Sequence, residues 1–282
     1  MNIIGGPASQ LLAGRVSKLL NADLLVSEFR KFPDGELYTR IVGEIDTEVT
    51  IIQSTVTDSD LVSLLLLIDA CCDTDRLNVI IPYMGYARQD KKFKDGEPIS
   101  ARAVAGAIRA DNVFTINIHA ESILDHFDAK AADLDATPAI GRYIKNMELK
   151  DPLVIAPDDG AVVLARNASV DLGIEYDFLD KTRLSGDTVM IKPKNLEVRG
   201  RDVIIIDDII STGGTMAETI SLLRSQGANE VYLACVHPVL SGNAVLKLLK
   251  AGTKGIIATD TIDRTVSVVS TAAVIAEAIK NI

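Results

Sequence analysis

Little in this chain speaks for a membrane, an oxidising compartment or a polyanionic partner. Its 282 residues carry three cysteines, and Cys71 and Cys72 are adjacent. That spacing offers neither a disulfide framework nor a set of metal ligands, and it suits a reducing cytoplasm. The opening MNIIGGPASQ lacks the basic segment and long apolar core of a signal peptide. The longest apolar stretch, LVSLLLLIDACC at 61–72, holds a serine and an aspartate and is too short to span a bilayer, so it reads as a buried helix. A basic surplus is missing too. With 29 Lys+Arg against 39 Asp+Glu the net charge is −10, which argues against a general nucleic-acid binder. No segment is low in complexity. These absences lead to the expectation of a cytoplasmic protein whose partners are neither nucleic acids nor membranes.

What is present is ordinary globular material, 48% hydrophobic and 24% charged. Short apolar runs of strand length alternate with helical patterns. Strands are expected at 2–4, 23–29, 49–53, 78–83 and 113–118, then at 153–156, 174–180, 203–207, 231–236 and 255–260. Helices are expected at 8–20, 58–72, 99–110, 138–146, 161–172, 215–226, 242–251 and 270–281. Several strands are unbroken Val/Ile/Leu runs, the mark of parallel sheets buried on both faces. The alternation defines an α/β architecture. The order in 8–31, a helix and then a strand ending in basic residues, returns in 160–183, although two amphipathic helices also resemble each other by chance. The polar, proline-marked stretch KNMELKDP at 145–152 suggests a domain boundary. Two domains of similar size, 1–146 and 147–269, are expected.

The most informative stretch is VIIIDDIISTGGT at 203–215. An apolar strand runs into two carboxylates, Asp207 and Asp208. Ser211, Thr212, Gly213, Gly214 and Thr215 then lead into a helix with Met216, Ile220 and Leu223 on one face. Glycine lets the backbone turn sharply and lets a ligand approach its N–H groups. Those groups, the hydroxyls and the positive helix end make an anion cradle beyond the carboxyl end of a strand, where open α/β sheets bind ligands. The two acids can accept hydrogen bonds from sugar hydroxyls or hold Mg²⁺ through water. The plainer reading is a strand–turn–helix in which a hydroxyl merely caps the helix. The acidic pair speaks against it, because a phosphate on the loop and a diol on the carboxylates describe a phosphorylated sugar.

The same stretch resembles the phosphoribosyl diphosphate motif shared by type I phosphoribosyltransferases and ribose-phosphate pyrophosphokinases. Further segments resemble the pyrophosphokinases. FPDGE at 32–36 looks like their ATP loop, although PDG alone is a common turn. PYMGYARQDKKFKDGEPIS at 82–100 is similar to their long basic signature, although a basic run by itself reads as a solvated loop. INIHAESILDHFD at 116–128 puts His119 at a strand end. The resemblance covers nearly the whole chain in the right order, and the length looks most like the compact archaeal members. It implies two tandem type I phosphoribosyltransferase-like domains, each with a mainly parallel sheet covered by helices. It also implies that the C-terminal helix, about 270–282, packs on the first domain.

The implied reaction moves the β,γ-diphosphoryl group of ATP to the anomeric hydroxyl of ribose 5-phosphate. Its products are phosphoribosyl diphosphate and AMP. Implied ATP contacts are Phe32, Asp34, Gly35, Glu36, Arg88, Gln89, Asp90 and His119. Implied ribose 5-phosphate contacts are Arg183, Asp207, Asp208 and the loop Ser211 to Thr215. Lys181 and Arg183 in DKTRLSGD at 180–187 match the cationic catalytic pair, though by spacing alone Lys-x-Arg is a routine surface pair. Mg²⁺ is the implied cofactor, with His119 and Asp158 as contacts. The family builds its ATP site partly from a neighbouring subunit, which implies at least a homodimer. His126 and His237 read as structural. Some residues depart from the usual pattern: Asn117 stands where an aspartate is usual, and Asp159 lies in PDDGA where the family has Pro-Asp-Ala-Gly-Gly. No site is assigned in 129–136. The alternatives are a phosphoribosyltransferase, which needs neither FPDGE nor the basic segment, and a non-catalytic regulatory homologue, which would lack the loop cations.

Overall fold

The computed structural model describes residues 1–179, 181–185, 188–191 and 196–282, with side chains described for 1–179 and 196–282. It divides into two compact units. The first is Met1–Asp135 with Thr261–Asp263 and Ser270–Ile282; the second is Ala136–Asp260 with Arg264–Val269.

The first unit begins with β1 (Asn2–Gly5), α1 (Gln10–Leu20), β2 (Asp23–Lys31), β3 (Leu37–Val42) and β4 (Glu48–Ile52). It continues with α2 (Asp58–Asp69), β5 (Arg76–Ile81), α3 (Ser100–Ala105), β6 (Asn112–Ile116) and β7 (Lys130–Leu134). These strands make a seven-stranded sheet in the order β3-β2-β1-β4-β5-β6-β7. Every neighbouring pair is parallel except the β2–β3 hairpin. Consecutive residues of β4 and β5 are buried, as expected of strands covered on both faces, and the buried Asn78 amide donates to the Thr50 hydroxyl at 3.3 Å. Ile51, Val79 and Val113 pack with Leu64, Leu67 and Ile108 in one core. Thr57 starts α2 with a capping box, in which its side chain accepts from the Asp60 N–H and the Asp60 carboxylate accepts from the Thr57 N–H.

The second unit opens with α4 (Thr137–Lys145), β8 (Leu153–Ala156), α5 (Val162–Ser169) and β9 (Glu175–Phe178). Next come β10 (Lys181–Ser185) and β11 (Thr188–Ile191), which pair antiparallel, then β12 (Val203–Ile209) and α6 (Gly214–Ser225). It closes with β13 (Val231–His237), α7 (Ala244–Ala251), β14 (Gly255–Thr259) and β15 (Ser267–Val269). The sheet order is β15-β14-β13-β12-β8-β9, parallel throughout. Its core joins Ile205, Leu233 and Ala258 of the sheet to Ile220 and Leu223 of α6. The last helix, α8 (Ala272–Lys280), belongs to the first unit and packs on α1.

The suspected internal echo is a repeat of topology. Inside the antiparallel edge strand β3, the first sheet runs β2-β1-β4-β5-β6-β7, and the second runs β9-β8-β12-β13-β14-β15. Each therefore reverses strand direction of growth at one place, between β1 and β4 in the first unit and between β8 and β12 in the second. Such switch points leave a crevice beyond the strand carboxyl ends.

The division between units differs from the boundary expected at 146/147. Helix α4 falls in the second unit because it packs on α5. At that contact a Cβ on Gly141 would come within 2.1 Å of the Ala168 carbonyl oxygen, so the two helices touch backbone to backbone. Strands β3, β7, β10, β11 and β15 were not expected from the pattern. The helix expected at 99–110 ends at Ala105, just before Gly106. Among the described residues no helix is long and apolar enough to cross a membrane.

Candidate active site

The carboxyl end of β12 carries Asp207 and Asp208, both half-buried. The Asp208 N–H donates to Asp207 Oδ1 at 2.9 Å, and the Ile209 N–H donates to Asp208 Oδ1 at 2.7 Å. Asp207 is held well above the ordinary carboxylate range, by desolvation first, then by the charges of Asp208 and Asp158. Asp158 follows β8, across the switch point, and accepts from the Gly160 N–H at 3.1 Å. The charges of two neighbouring carboxylates thus bear on Asp207 at one corner of this unit. A cation or a hydroxyl-rich ligand would relieve that repulsion. Asp159 is exposed beside them.

The loop after β12 has the construction of an anion cradle. Gly213 sits at φ +72° as the N-cap of α6, and no side chain caps that helix. A Cβ on Gly213 would lie 3.1 Å from Leu248 side-chain carbons, so both the backbone angle and the packing call for glycine. None of the N–H groups of Ser211, Thr212, Gly213, Gly214 or Thr215 meets an acceptor among the described residues. Unpaired donors at a helix N-terminus attract anions. With Asp207, Ile209 and Ile210 these residues line a cavity of about 160 Å³.

Lys181 and Arg183 lie on β10, whose backbone pairs with β11. Their side chains are outside the described residues.

In the first unit, FPDGE forms the turn between β2 and β3. The Phe32 N–H donates to the Glu36 carbonyl at 2.8 Å, the Gly35 N–H to the Phe32 carbonyl at 2.9 Å, and the Glu36 N–H to Asp34 Oδ1 at 3.2 Å. Gly35 takes φ +95°. Phe32 is 45% exposed, with its ring edge-to-face on Tyr38 at 6.0 Å. An exposed aromatic on a rigid hairpin tip is available for stacking on another ring.

The basic segment 82–100 follows β5. Tyr86 takes φ +65°, unusual for a bulky residue, and its hydroxyl donates to the Asp58 carboxylate. Arg88 is exposed, while Gln89 and Asp90 are partly covered. The Gln89 amide oxygen accepts from the Ser100 hydroxyl at 2.6 Å, and its carbonyl accepts from the Ala101 N–H at 3.2 Å. Farther along, the Glu97 carboxylate accepts from the N–H groups of Phe93 and Lys94 at 2.9 and 3.0 Å.

His119 follows β6 and is exposed. The approach to it is built by residues that sequence reasoning passed over. The Asp133 carboxylate accepts from the Ile118 N–H at 3.0 Å and from the Thr115 hydroxyl. Asn117 takes φ +42° and its amide donates to Asp135 Oδ1 at 2.9 Å. Asp133 is pushed up to about 6, by desolvation first, although it keeps a solvent-facing side, and Asp135 and Glu121 raise it further. The signal available was two acids in an otherwise alanine-rich stretch, ADLD at 132–135.

Among the described residues no three His, Cys, Asp or Glu side chains converge as a ready-made ion cage. Mg²⁺ keeps several waters and shares ligand phosphates, so the acids of the second unit fit it without such a cage.

Comparison with known proteins gives the class first. The family model described as the N-terminal domain of ribose phosphate pyrophosphokinase matches residues 1–111, and the phosphoribosyl transferase domain matches 123–268. The chain is 59% identical to the ribose-phosphate pyrophosphokinase of Methanosarcina acetivorans, covering 100% of both chains. It is 44% identical to ribose-phosphate pyrophosphokinase 2 of Archaeoglobus fulgidus, covering 98% of this chain and 99% of that one. Its fold matches the phosphoribosylpyrophosphate synthetase crystal structure from Mycobacterium smegmatis with a TM-score of 0.83 at 30% identity, over 99% and 97% of the two chains. The architecture is thus that of a two-domain phosphoribosyltransferase-type enzyme. The chain belongs to the ribose-phosphate pyrophosphokinase family.

Proposed function

We propose that this protein transfers the β,γ-diphosphoryl group of ATP to the anomeric hydroxyl of ribose 5-phosphate, releasing 5-phosphoribosyl 1-diphosphate and AMP. The observation that carries the reading is the row of unpaired N–H groups at 211–215 beside the half-buried Asp207 and Asp208. In this reading the loop Ser211 to Thr215 holds the 5-phosphate. Asp207 and Asp208 accept from the ribose hydroxyls, which offsets the repulsion among the acids.

ATP is assigned to Phe32, Asp34, Gly35 and Glu36 on the β2–β3 turn and to Arg88, Gln89, Asp90 and His119. Phe32 stacks on the base, and the acids accept from its exocyclic amine. The anomeric hydroxyl attacks the β-phosphorus, and the bond to the α–β bridging oxygen breaks as charge moves onto AMP. Such chemistry asks for alignment and cations more than for covalent help. Lys181 and Arg183 supply cations at the transferring group, and Arg183 also contacts the ribose phosphate. His119 and Asp158 are the residues that would hold Mg²⁺, and the ion would supply positive charge to the phosphate oxygens. The working form is a homo-oligomer, at least a dimer, in which a neighbour's β2–β3 turn completes the ATP site; light scattering that returns only a monomer would remove this part. The setting is cytoplasmic, which cell fractionation would check.

The test is an assay for AMP with ATP, Mg²⁺ and ribose 5-phosphate, run with and without the sugar. AMP formed only with the sugar, alongside 5-phosphoribosyl 1-diphosphate, supports the reading. Consumption of supplied phosphoribosyl diphosphate with a base, and no AMP, would replace it by a phosphoribosyltransferase. Ribose 5-phosphate binding without either reaction would favour a regulatory protein.

A further inference from the structure

Lys247 lies in α7, 35 residues beyond the loop it reaches and outside every motif singled out from the sequence. Its Nζ donates to the Thr212 carbonyl oxygen at 3.0 Å. The same part of the chain backs the loop at two more points. Leu248 packs behind Gly213. The Ser241 N–H donates to the Ser211 carbonyl at 3.1 Å, and the Ser241 and Ser211 hydroxyls stand 3.3 Å apart.

In a trans peptide the carbonyl and the following N–H point in opposite directions. A Thr212 carbonyl drawn to Lys247 leaves the Gly213 N–H facing the other way. A Ser211 carbonyl drawn to Ser241 does the same for the Thr212 N–H. Both of these N–H groups are unpaired among the described residues. Ordering an exposed lysine side chain costs entropy, so a lysine fixed on a backbone carbonyl must return something. Here it returns a fixed peptide plane and a positive charge behind an anion site.

We propose that Lys247 is a positioning residue for ribose 5-phosphate: it pins the Thr212–Gly213 peptide so that the loop's donors face the 5-phosphate, and its ammonium adds to the attraction. The proposal rests on the assignment of 211–215 to that phosphate. Lys247→Met keeps the aliphatic stem and removes the donor and the charge, while Lys247→Arg keeps both. The experiment measures KM for ribose 5-phosphate, KM for ATP, kcat and Tm for the parent and the two variants, with calorimetric binding of ribose 5-phosphate in the absence of ATP. For Lys247→Met the expected result is a ribose 5-phosphate KM and Kd raised by about tenfold, the scale of one charge-assisted hydrogen bond. ATP KM, kcat and Tm stay close to parental values, and Lys247→Arg recovers most of the loss. An unchanged KM and Kd in Lys247→Met overturns the proposal and leaves the reaction intact. So does an equal rise in both KM values with a fallen Tm, which would make Lys247 a general packing residue. A parent that neither binds ribose 5-phosphate nor releases AMP from ATP in its presence removes the functional reading, and this proposal with it.

Discussion

The two units carry the same strand–loop–helix step at the same place in their sheets, and they finish it in opposite ways. In the first unit β4 leads through Gln53, Ser54 and Thr55 into α2. There the Gln53 N–H donates to the Ile80 carbonyl, the Ser54 N–H to Ser9 Oγ and the Thr55 N–H to the Tyr83 carbonyl. The Thr57–Asp60 capping box then closes the helix end. In the second unit β12 leads through Ser211 and Thr212 to Gly213 and α6. No side chain caps that helix, and the loop N–H groups have no acceptor among the described residues. One loop spends its donors on the fold; the other keeps them for a ligand. The acids differ likewise: β4 ends in Ile51 and Ile52, whereas β12 carries the half-buried Asp207 and Asp208 near its end, with the charges of Asp208 and Asp158 bearing on Asp207. Open loop donors in one copy of a repeated step, with satisfied ones in the other, support the proposed assignment of the sugar phosphate to the second unit.

The largest test concerns the hairpin β10–β11, which occurs between the second and third strands of its unit, where the first unit has β3. Lys181→Ala is expected to lower kcat by about 10²–10³, the loss typical of one transition-state contact, with ATP affinity little changed. A variant within a few-fold of the parent would take Lys181 out of the mechanism.

Next comes a change that closes the open copy. Gly214→Asp places a carboxylate at the first residue of α6, where a Cβ meets nothing within 4 Å, so the carboxylate repels an incoming phosphate without disturbing the packing behind the loop. Ribose 5-phosphate affinity should fall by roughly 10², by analogy with removing charge-assisted hydrogen bonds and adding repulsion. Calorimetry showing parental affinity would move the phosphate away from this loop.

A smaller effect has a sign opposite to most mutations. Asp207 is raised in the folded protein, so its contribution to stability is full below the unfolded carboxylate value, about 4, and is lost as pH rises through its folded value. Asp207→Asn removes that penalty. At neutral pH the ligand-free variant should melt roughly 2–4 °C above the parent, the scale of 1 kcal/mol in a chain of this size. The gap should close as pH is lowered toward about 4, and ribose 5-phosphate binding should weaken. Scanning calorimetry with no gap at neutral pH would show that the buried acid carries no strain.

The smallest effect is expected in the closed copy. Thr57→Ala opens the capping box of α2 and should cost about 1 kcal/mol of stability, with the KM for ribose 5-phosphate unchanged. A raised KM for the sugar would mean that the first unit's step takes part in binding it.

The candidate site was legible in the sequence wherever its parts were contiguous. The apolar run, the two acids and the glycine loop of 203–215 are neighbours in the chain, and their order alone describes a strand, a switch-point corner and an open helix end. The FPDGE turn was legible for the same reason. The α/β class followed from unbroken Val/Ile runs such as VIII in β12, which only two-sided burial explains. Other features were out of reach. β7 (KAADL) has no large apolar residue before its last position and β15 (SVV) has only three residues, and they are strands because β6 and β14 offer them an edge. Helix α4 groups with the second unit, on the other side of the expected boundary, and the sequence shows no sign of this because its partner is evident only through the close approach of Gly141 to Ala168.

Sequence by itself determined the local steps: which segments are strands or helices, where acids meet glycines, and which family pattern they make. Local backbone preference and the alternation of polar and apolar residues act over a few residues, so a linear reading captures them. Tertiary structure alone decided which donors stay free. The Thr212 carbonyl is taken by a lysine 35 positions away, Leu248 fills the space behind Gly213, and Asp133 and Asp135 hold the approach to His119 from a neighbouring strand. A hydrogen bond is satisfied or left open by whatever the fold brings within about 3 Å, and that distance carries no trace of separation along the chain.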